Sequence, residues 1–183
     1  QPLVSILMPV YNSFDFVRSE NNKLLPQALD AILAQSYPDF ELIILDNQST
    51  DATGEICASY AKKDKRVRYL VDTQKRYPEG GITQAATFAK GAYTMVANDD
   101  DLWHTTYIEK MLSYMETHPE ADMCYSNGTF VDVEGATIGP INTTNEFTYS
   151  PHNSPISNFS TYVLKRNPIP LAFGLFRSEV YAD

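Results

Sequence analysis

The sequence predicts an α/β protein built on a mostly parallel, doubly wound sheet that is flanked by helices. Short apolar runs alternate with amphipathic segments up to Pro119, and this alternation is typical of βαβ units, which build parallel sheets. Two of the apolar runs pass directly into acidic residues, as strands often do at the ligand-binding edge of such a sheet. A small antiparallel element is expected in the C-terminal third, where Asn-Gly and Glu-Gly turns join short extended runs.

The elements of the first two thirds are predicted from hydrophobic spacing. A continuous apolar run rich in β-branched residues, such as residues 4–10, indicates a buried strand. Apolar residues three and four positions apart, such as Leu25, Ala28 and Leu29, indicate one face of a helix. Gly91 is expected to close the third helix in a left-handed conformation. The predicted strands are 4–10, 41–45, 67–71 and 93–97, and the predicted helices are 24–35, 52–62, 82–90 and 105–117.

The pattern changes beyond the fourth helix. Residues 123–125, 129–133 and 136–138 are short extended runs, and we expect them to form the small antiparallel element. Residues 142–158 are rich in Asn, Thr, Ser and Pro, which predicts a mobile loop. A last strand is predicted over residues 171–176.

The composition suits one water-soluble domain and argues against a nucleic-acid partner. The chain has 183 residues, of which 43% are hydrophobic, and its formal net charge is -9. A polyanion would need a strong basic patch against that acidic background, and the densest basic run, residues 62–68, is interrupted by Asp64. No apolar run approaches the roughly 18 residues of a membrane helix, so no transmembrane segment is expected in this chain.

The two cysteines indicate the compartment. Cys57 and Cys124 are far apart in the sequence, and each lies among apolar neighbours. This arrangement suits buried, reduced thiols better than a disulfide framework. A cytoplasmic location is therefore expected, with the cytoplasmic face of a membrane as the alternative.

Polar residues follow three of the predicted strands at the point where each strand ends. Tyr11 and Asn12 follow the first strand, residues 46–51 follow the second, and residues 98–101 follow the fourth. In an open parallel sheet, ligands bind at the carboxyl ends of the strands near the point where the strand order reverses. Acids at two such ends suggest a metal ion or a polyhydroxyl ligand.

The run Asn98-Asp-Asp-Asp101 has the chemistry of a hard-cation site. Magnesium and manganese prefer oxygen ligands, commonly one or two carboxylates together with phosphate oxygens and water. In a strand-like stretch, Asp99 and Asp101 would point one way and Asp100 the other. The alternative is that these acids stabilise the N-terminus of the 105–117 helix, because anions favour that end.

The other strand ends offer groups that suit a nucleotide. Asp46 could accept a hydrogen bond from a base N–H or a ribose hydroxyl, and a turn role is its alternative. Asp51 is expected to cap the helix that it precedes. Tyr11 offers a ring face for stacking on a base, although half-buried packing explains it equally. Lys75 and Arg76 could meet a diphosphate, or could simply be solvated.

Three separated motifs, in order, resemble the inverting glycosyltransferases of family 2, which have the GT-A fold. The motifs are VSILMPVYN, AILAQSYPDFELIILDNQSTD and AKGAYTMVANDDDLW, and the resemblance covers about residues 3–115. It departs from the family pattern where Asn98 opens a DxD-like motif that usually begins with an acid. It departs again at Asn47, where family members often have an acid, and in the segment 13–23, which is longer than is usual in the family.

The resemblance implies a nucleotide-sugar donor that is linked to UDP, GDP or dTDP, and a Mn²⁺ or Mg²⁺ cofactor. It implies that Asp46 lies near the base, Asp99 near the ribose and Asp100 on the metal. The acceptor would be a saccharide or a lipid-linked saccharide, as in polysaccharide biosynthesis. The predicted nucleotide-sugar-binding residues are Pro9, Tyr11, Asn12, Asp46, Arg76 and Asp99, and the predicted metal ligands are Asp100 and Asp99.

The resemblance also implies an in-line displacement with inversion, in which a carboxylate removes the proton of the acceptor hydroxyl. Residues 1–118 would form the donor-binding half, and residues 119–183 part of the acceptor-binding half. Because the chain stops soon after a helix-start signal, it is expected to be a trimmed fragment. The general base is therefore unassigned and expected beyond residue 183, because no motif supports the other acids of this half, Asp132, Glu134 and Glu179.

Three alternatives stay open at this point. The chain could be a nucleotide-sugar-binding module or an inactive relative, since Asn98 replaces an acid. A nucleotidyltransferase would require a glycine-rich, basic loop after the first strand, and Pro9-Val-Tyr-Asn12 does not supply one. A dinucleotide-dependent oxidoreductase would require a GxGxxG turn at the same place, and the sequence has none there.

Overall fold

In a computed structural model, the structure describes residues 3–14, 23–75, 78–132, 135–140 and 174–181. The longest helices have 11 residues, and none in these ranges has the length and apolar character needed to cross a membrane. The strands are β1 (Val4–Val10), β2 (Phe40–Asp46), β3 (Val67–Val71), β4 (Tyr93–Val96), β5 (Met123–Tyr125), β6 (Thr129–Val131), β7 (Thr137–Pro140) and β8 (Gly174–Arg177). The helices are α1 (Leu24–Leu33), α2 (Thr53–Lys63), α3 (Pro78–Ala86) and α4 (Tyr107–Thr117), with a final 3-10 turn, Ser178–Tyr181.

The described strands form a mostly parallel six-stranded sheet in the order β3-β2-β1-β4-β8-β5 and a separate two-stranded sheet. Strands β1 to β4 run parallel, whereas β8 pairs antiparallel with both β4 and β5. The predicted α/β class, with a parallel sheet and a small antiparallel element, is confirmed. One assignment was wrong, because β5 joins the main sheet through its long-range partner β8, and only β6 and β7 form the small element.

The chain divides into two compact units. One contains Gln1–Tyr125 and Ala172–Asp183, and the other contains Ser126–Leu171. In the second unit, the described residues form the β6-β7 hairpin, whose register shifts between Phe130 and Val131. The predicted mobile loop at 142–158 lies outside the described residues, as do residues 171–173 of the predicted last strand. The predicted domain boundary after residue 118 stays a prediction.

Helices cover both faces of the main sheet. Because successive side chains of a strand point to opposite faces, Ile6 and Met8 of β1 face one layer and Leu7 faces the other. The first layer includes buried residues of α1, α2 and α4, such as Leu29. The second layer packs Leu7 against Ala85 of α3. This change of face accompanies the reversal of strand order between β1 and β4, as right-handed crossovers require.

The third helix differs from its prediction at both ends. It begins at Pro78 rather than at residue 82, because proline is well tolerated at the first helical position, where its missing N–H has no intrahelical partner. It ends at Ala86, and the next three residues are closed by tighter bonds to the third preceding carbonyl. Gly91 does not have the predicted left-handed conformation. A Cβ at Gly91 would lie 2.6 Å from the Ser5 nitrogen, so glycine is required for close approach to β1.

A buried polar network fixes the segment between α3 and β4 to the amino ends of β1 and β2. The Glu41 Oε1 atom accepts hydrogen bonds from the Ser5 hydroxyl (2.8 Å) and the Lys90 N–H (2.9 Å). Its Oε2 atom accepts one from Arg68 Nη1 (2.8 Å), which also donates to the Phe88 carbonyl. Glu41 is only 7% exposed. A buried carboxylate requires hydrogen-bond donors, and these three donors supply them.

The substitution Glu41→Gln should therefore destabilise the fold by about 1 to 3 kcal/mol, since the hydrogen bonds to a buried charge are the strong ones. Urea denaturation followed by circular dichroism measures the free energy of unfolding. Glu116→Gln, on an exposed position of α4, is the control and should change that free energy by less than about 0.5 kcal/mol. Equal effects of the two substitutions would contradict a structural role for the network.

Candidate functional site

The carboxyl ends of β2, β1 and β4 meet at the point where the strand order reverses. Strand β1 pairs with β2 along one side and with β4 along the other. The segments that follow these strands, residues 11–14, 47–52 and 97–101, therefore leave the same edge of the sheet. Such an edge is where open parallel sheets bind their ligands.

The segments after β1 and β2 are bonded directly to each other. The Asn12 N–H donates to Ser49 Oγ (3.0 Å), and the Asn12 side-chain oxygen accepts from the Thr50 N–H (2.8 Å). The Asp51 carboxylate accepts from the Phe14 N–H (3.0 Å) and from the Thr53 N–H (2.9 Å). Asp51 thus bonds the first residue of α2 and also holds the chain after β1, but the N-cap residue of this helix is Ala52 and not the predicted Asp51.

Asp46, the last residue of β2, is a buried carboxylate that is 2% exposed. Its Oδ1 atom accepts a hydrogen bond from the Ser49 N–H (2.8 Å), and its Oδ2 atom accepts one from the Tyr69 hydroxyl (2.7 Å). The turn role that was open for Asp46 is therefore present. An ionised carboxylate has about four acceptor positions, so these two bonds leave capacity for a ligand.

The acids after β4 lie in a turn and not in the extended stretch from which the alternation of their side chains was predicted, although their burial alternates in the predicted way. Strand β4 ends at Val96, and residues 99 and 100 lie in a turn. The Asn98 side-chain N–H donates to Asp101 Oδ2 (2.7 Å), which closes this turn. The Asp100 residue is exposed, whereas Asp99 and Asp101 are partly buried.

Burial of the two flanking acids changes their titration. Desolvation raises the pKa of the Asp99 carboxyl, the Ser13 hydroxyl opposes this rise, and the Asp100 charge adds to it. Desolvation also raises the pKa of Asp101, and Asn98 opposes that rise. Burial and mutual repulsion disfavour the ionised forms of these neighbouring carboxyl groups. A bound cation would favour the ionised forms, because it offsets both the repulsion and the lost hydration.

The strands that end at Asp46 and before Asp99 lie on either side of β1 and run parallel to it. Burial, together with the smaller effects of the charges of Asp46, Asp99 and Asp51, raises the pKa of the Cys57 thiol to about 12. Cys57 belongs to α2 and is fully buried in the main core. The structure therefore brings Asp46 and Asp99 to the same region.

Tyr11 lies at the rim of this region, where it is 44% exposed. The Lys75 Nζ atom donates to the Tyr11 hydroxyl (2.9 Å) and lies 4.7 Å from the ring centroid.

Pro9 is half-buried in β1. Because the Leu7 carbonyl accepts the Ala97 N–H, Leu7 and Pro9 both present backbone groups to the β4 side. Pro9 extends beyond the last strand pair there, so its missing N–H costs no sheet bond. Arg76 lies outside the described residues.

The start of α4 is supported by Gln35, which follows the end of α1. The Gln35 side-chain oxygen accepts the Ile108 N–H (3.0 Å), and its side-chain nitrogen donates to the His104 carbonyl (2.8 Å). Gln35 thus supplies a side-chain acceptor for the first turn of α4, and the alternative that the acids stabilise this helix end by their charge stays a prediction.

Three residues of the site had no signal in the sequence. Tyr69 lies in a mostly apolar strand, and only the β2-β3 register brings it to Asp46. Ser13 is buried beside Asp99. Gly54 leaves room for the Tyr69 hydroxyl, because a Cβ there would lie 2.8 Å from it.

The described residues contain no group of three or more His, Cys, Asp or Glu side chains placed to hold a metal ion. A magnesium or manganese site that uses diphosphate oxygens needs only one or two protein carboxylates. Asp99 and Asp100, as hard oxygen donors with Asp100 exposed, fit that requirement by their chemistry.

Comparison with known proteins gives consistent matches. The family model described as glycosyl transferase family 2 matches residues 5–179. A glycosyltransferase of Haemophilus influenzae is 33% identical over 149 residues, which are 81% of this chain and 56% of that protein. One from Methanocaldococcus jannaschii is 30% identical over 136 residues, 74% of this chain and 44% of that protein. The chain thus spans about half the length of these relatives.

Solved structures share the fold at lower identity. S. aureus TarS (residues 1–349) in complex with UDP is similar over 98% of this chain and 48% of that chain, with a TM-score of 0.69 and 17% identity. The mannosyltransferase PcManGT from Pyrobaculum calidifontis, in complex with GDP-Man and Mn²⁺, matches 68% of this chain and 35% of that chain, with a TM-score of 0.59 and 22% identity. With the family model covering nearly the whole sequence, this chain belongs to glycosyl transferase family 2.

Proposed function

We propose that this chain binds a nucleoside-diphosphate sugar at the edge formed by the ends of β1, β2 and β4. The sugar would then pass to an acceptor hydroxyl with inversion at the anomeric carbon. The observation that carries the proposal is the parallel pairing of β1 with β2 on one side and β4 on the other, which places Asp46 and the turn that contains Asp99 at the same edge of the sheet, where the strand order reverses. Two carboxylates from different strands, held beside an exposed aromatic ring, suit the hydroxyl and N–H groups of a nucleoside.

Each predicted residue has a role in this proposal. Asp46 would accept a hydrogen bond from the base, and Tyr11 would stack on it. Asn12 would shape the floor of the site, because it bonds the segment after β1 to the segment after β2. Asp99 would accept a ribose hydroxyl. Pro9 and Arg76 complete the proposed nucleotide-sugar-binding set, and Arg76 would contact the diphosphate.

Asp100, together with Asp99, would hold a Mn²⁺ or Mg²⁺ ion against the diphosphate. The exposure of Asp100 supports this role, because the ion must reach phosphate oxygens as well as protein. The ion would act as a Lewis acid that offsets the charge on the departing nucleoside diphosphate.

The donor and acceptor are proposed by chemistry and by analogy with relatives. TarS has been crystallised with UDP and with UDP-GlcNAc, and PcManGT with GDP-Man. A UDP- or GDP-linked sugar is thus proposed here, with a dTDP-linked sugar as the third candidate. One relative, TuaG of Bacillus subtilis, is named as a putative teichuronic acid biosynthesis glycosyltransferase. A saccharide or lipid-linked saccharide acceptor, and a part in polysaccharide biosynthesis, follow by the same analogy.

Residues 119–183 would form part of the acceptor-binding half, and the general base stays unassigned. Asp132 accepts the Ala136 N–H in the β6-β7 hairpin, Glu179 is exposed, and Glu134 lies outside the described residues. None of these observations singles out a base. The proposed location is cytoplasmic, which the two buried, unpaired cysteines support.

A binding module without transfer activity is the second candidate. Asn98 favours it, because the first position of the DxD-like motif is an amide that is engaged with Asp101. An amide oxygen is a weaker ligand for a divalent cation than a carboxylate.

Calorimetric titration with UDP, GDP and dTDP, each with and without Mn²⁺, tests donor binding. We expect one nucleotide to bind at least tenfold more tightly with the ion, and Asp100→Ala to remove that difference, because the variant loses a metal ligand. Asp39→Ala, at an exposed position beside the opposite edge of the sheet, should retain it. Metal-independent binding of all three nucleotides by the parent chain would refute the metal assignment.

The substitution Asp99→Asn should stabilise the free protein at pH 7 while weakening nucleotide binding. The pKa of Asp99 is raised in the fold, so its ionisation destabilises the fold as the pH rises from the unfolded pKa through the folded pKa. We expect a gain of about 0.5 to 1 kcal/mol at pH 7 that disappears as the pH falls below the folded pKa of Asp99. Urea denaturation at several pH values measures it. Asp39→Asn, at an exposed position beside the opposite edge of the sheet, serves as the control. A gain that persists at low pH would contradict the charge explanation.

Inversion can be tested without knowledge of the acceptor, because water can replace it. Proton NMR during slow donor hydrolysis should first show the free sugar in the anomeric configuration opposite to that of the donor. A released sugar with the same anomeric configuration as the donor would contradict a single in-line displacement. Nucleotide binding without hydrolysis of the donor would favour the binding module.

A further inference from the structure

The Asp46 carboxylate is held by a side chain to which the proposed function gives no role, that of Tyr69. The Tyr69 hydroxyl lies 2.7 Å from Asp46 Oδ2. Asp46 pairs with Val71 across the β2-β3 ladder, so Tyr69, two residues earlier, lies diagonally opposite on the same face of the sheet. The contact therefore follows from strand register and not from a turn.

The chemistry of the pair fixes the direction of the hydrogen bond. An ionised carboxylate can only accept, so the phenol donates. Burial raises the pKa of Tyr69 well above its ordinary value, and the bond to Asp46 raises it further. The hydroxyl thus keeps its proton at neutral pH. Together with the Ser49 N–H on Oδ1, this bond fixes both oxygens of Asp46.

The first turn of α2 is shaped to admit this contact. A Cβ at Gly54 would lie 2.8 Å from the Tyr69 hydroxyl and 3.4 Å from Asp46 Oδ2. Three elements, β2, β3 and α2, therefore converge on one carboxylate-phenol pair. A side chain at position 54 would displace the phenol and free the carboxylate to rotate.

We propose that Tyr69 is a positioning residue, which orients the Asp46 carboxylate as a hydrogen-bond acceptor for an N–H group of the donor's nucleobase. The inference rests on the proposed function of Asp46. It adds a group that controls nucleotide affinity without touching the nucleotide. Because the oriented carboxylate only accepts hydrogen bonds, the base must present an N–H, as uracil, thymine and guanine do.

The test compares Tyr69→Phe with Tyr60→Phe. The Tyr60 hydroxyl of α2 donates to Asp30 Oδ1 of α1 (2.8 Å), so both substitutions remove one phenol-carboxylate bond. The dissociation constant of the preferred nucleotide among UDP, GDP and dTDP, with Mn²⁺, is measured by calorimetry. Tyr69→Phe should weaken binding about tenfold, which corresponds to about 1.4 kcal/mol. Tyr60→Phe should lower the melting temperature without changing the dissociation constant. With the matching donor, Tyr69→Phe should raise KM and leave kcat unchanged.

Two further variants keep the test decisive if Tyr69→Phe folds poorly. Gly54→Ala retains the hydroxyl but displaces it, and should weaken binding in the same way. In an Asp46→Asn background, Tyr69→Phe should add less than a twofold further loss, because Tyr69 acts through Asp46. Independent, additive losses, or equal dissociation constants for Tyr69→Phe and Tyr60→Phe, would overturn the positioning role while leaving the function intact. No binding of any of the three nucleotides by the parent chain would instead overturn the proposed function.

Discussion

The parallel pairing of β1 with β2 on one side and β4 on the other is the constraint on which the rest of the structure depends. Seven residues of β1 pair with β2, and four pair with β4. Because parallel strands share one direction, this double pairing places the ends of all three strands at the same edge of the sheet. The bonds of Asn12 to Ser49 and Thr50 are a consequence of that placement. The fully buried side chains of β1, Val4 to Met8, make it costly to shift the register.

The second strand carries two buried carboxylates, and their environments differ in a way that matches their positions. Glu41, near the amino end, is paired with the guanidinium of Arg68 at 2.8 Å and secures the segment before β4. Asp46, at the carboxyl end, is held by the neutral donors Ser49 and Tyr69. A carboxylate that is paired with a cation is largely satisfied, whereas one that is held by neutral donors keeps its negative charge available to a ligand. The structural acid and the proposed binding acid thus lie five residues apart on one strand.

At the same edge of the sheet, two residues have a left-handed backbone conformation that residues other than glycine rarely adopt. Asn12 and Gln48 have φ values of 48° and 63°. Asparagine tolerates this region well, but for glutamine it costs about 1 kcal/mol. Each is held there by hydrogen bonds, from Thr50 to Asn12 and from the Gln48 side chain to the Asp72 carbonyl. Strain of this kind often accompanies functional sites, because the surrounding structure must fix a geometry that the isolated segment would not keep.

The sequence by itself determined the strand-helix order and the parallel sheet, since the strands are apolar runs and the helices have apolar faces of regular spacing. It also identified the two acidic strand ends, because a buried strand that passes into acids is visible in any single sequence. It placed the ends of α3 and the partner of β5 incorrectly. The latter depends on β8, which follows about 50 residues later.

Only the tertiary structure decided which groups touch. The β2-β3 register brings Tyr69 to Asp46, and the packing of α2 places Gly54 against both side chains. The structure also showed that Asp99 and Asp100 lie in a turn. Local spacing encodes the periodicity of each element, but contacts between elements arise from their pairing and packing, which no short segment of the chain contains.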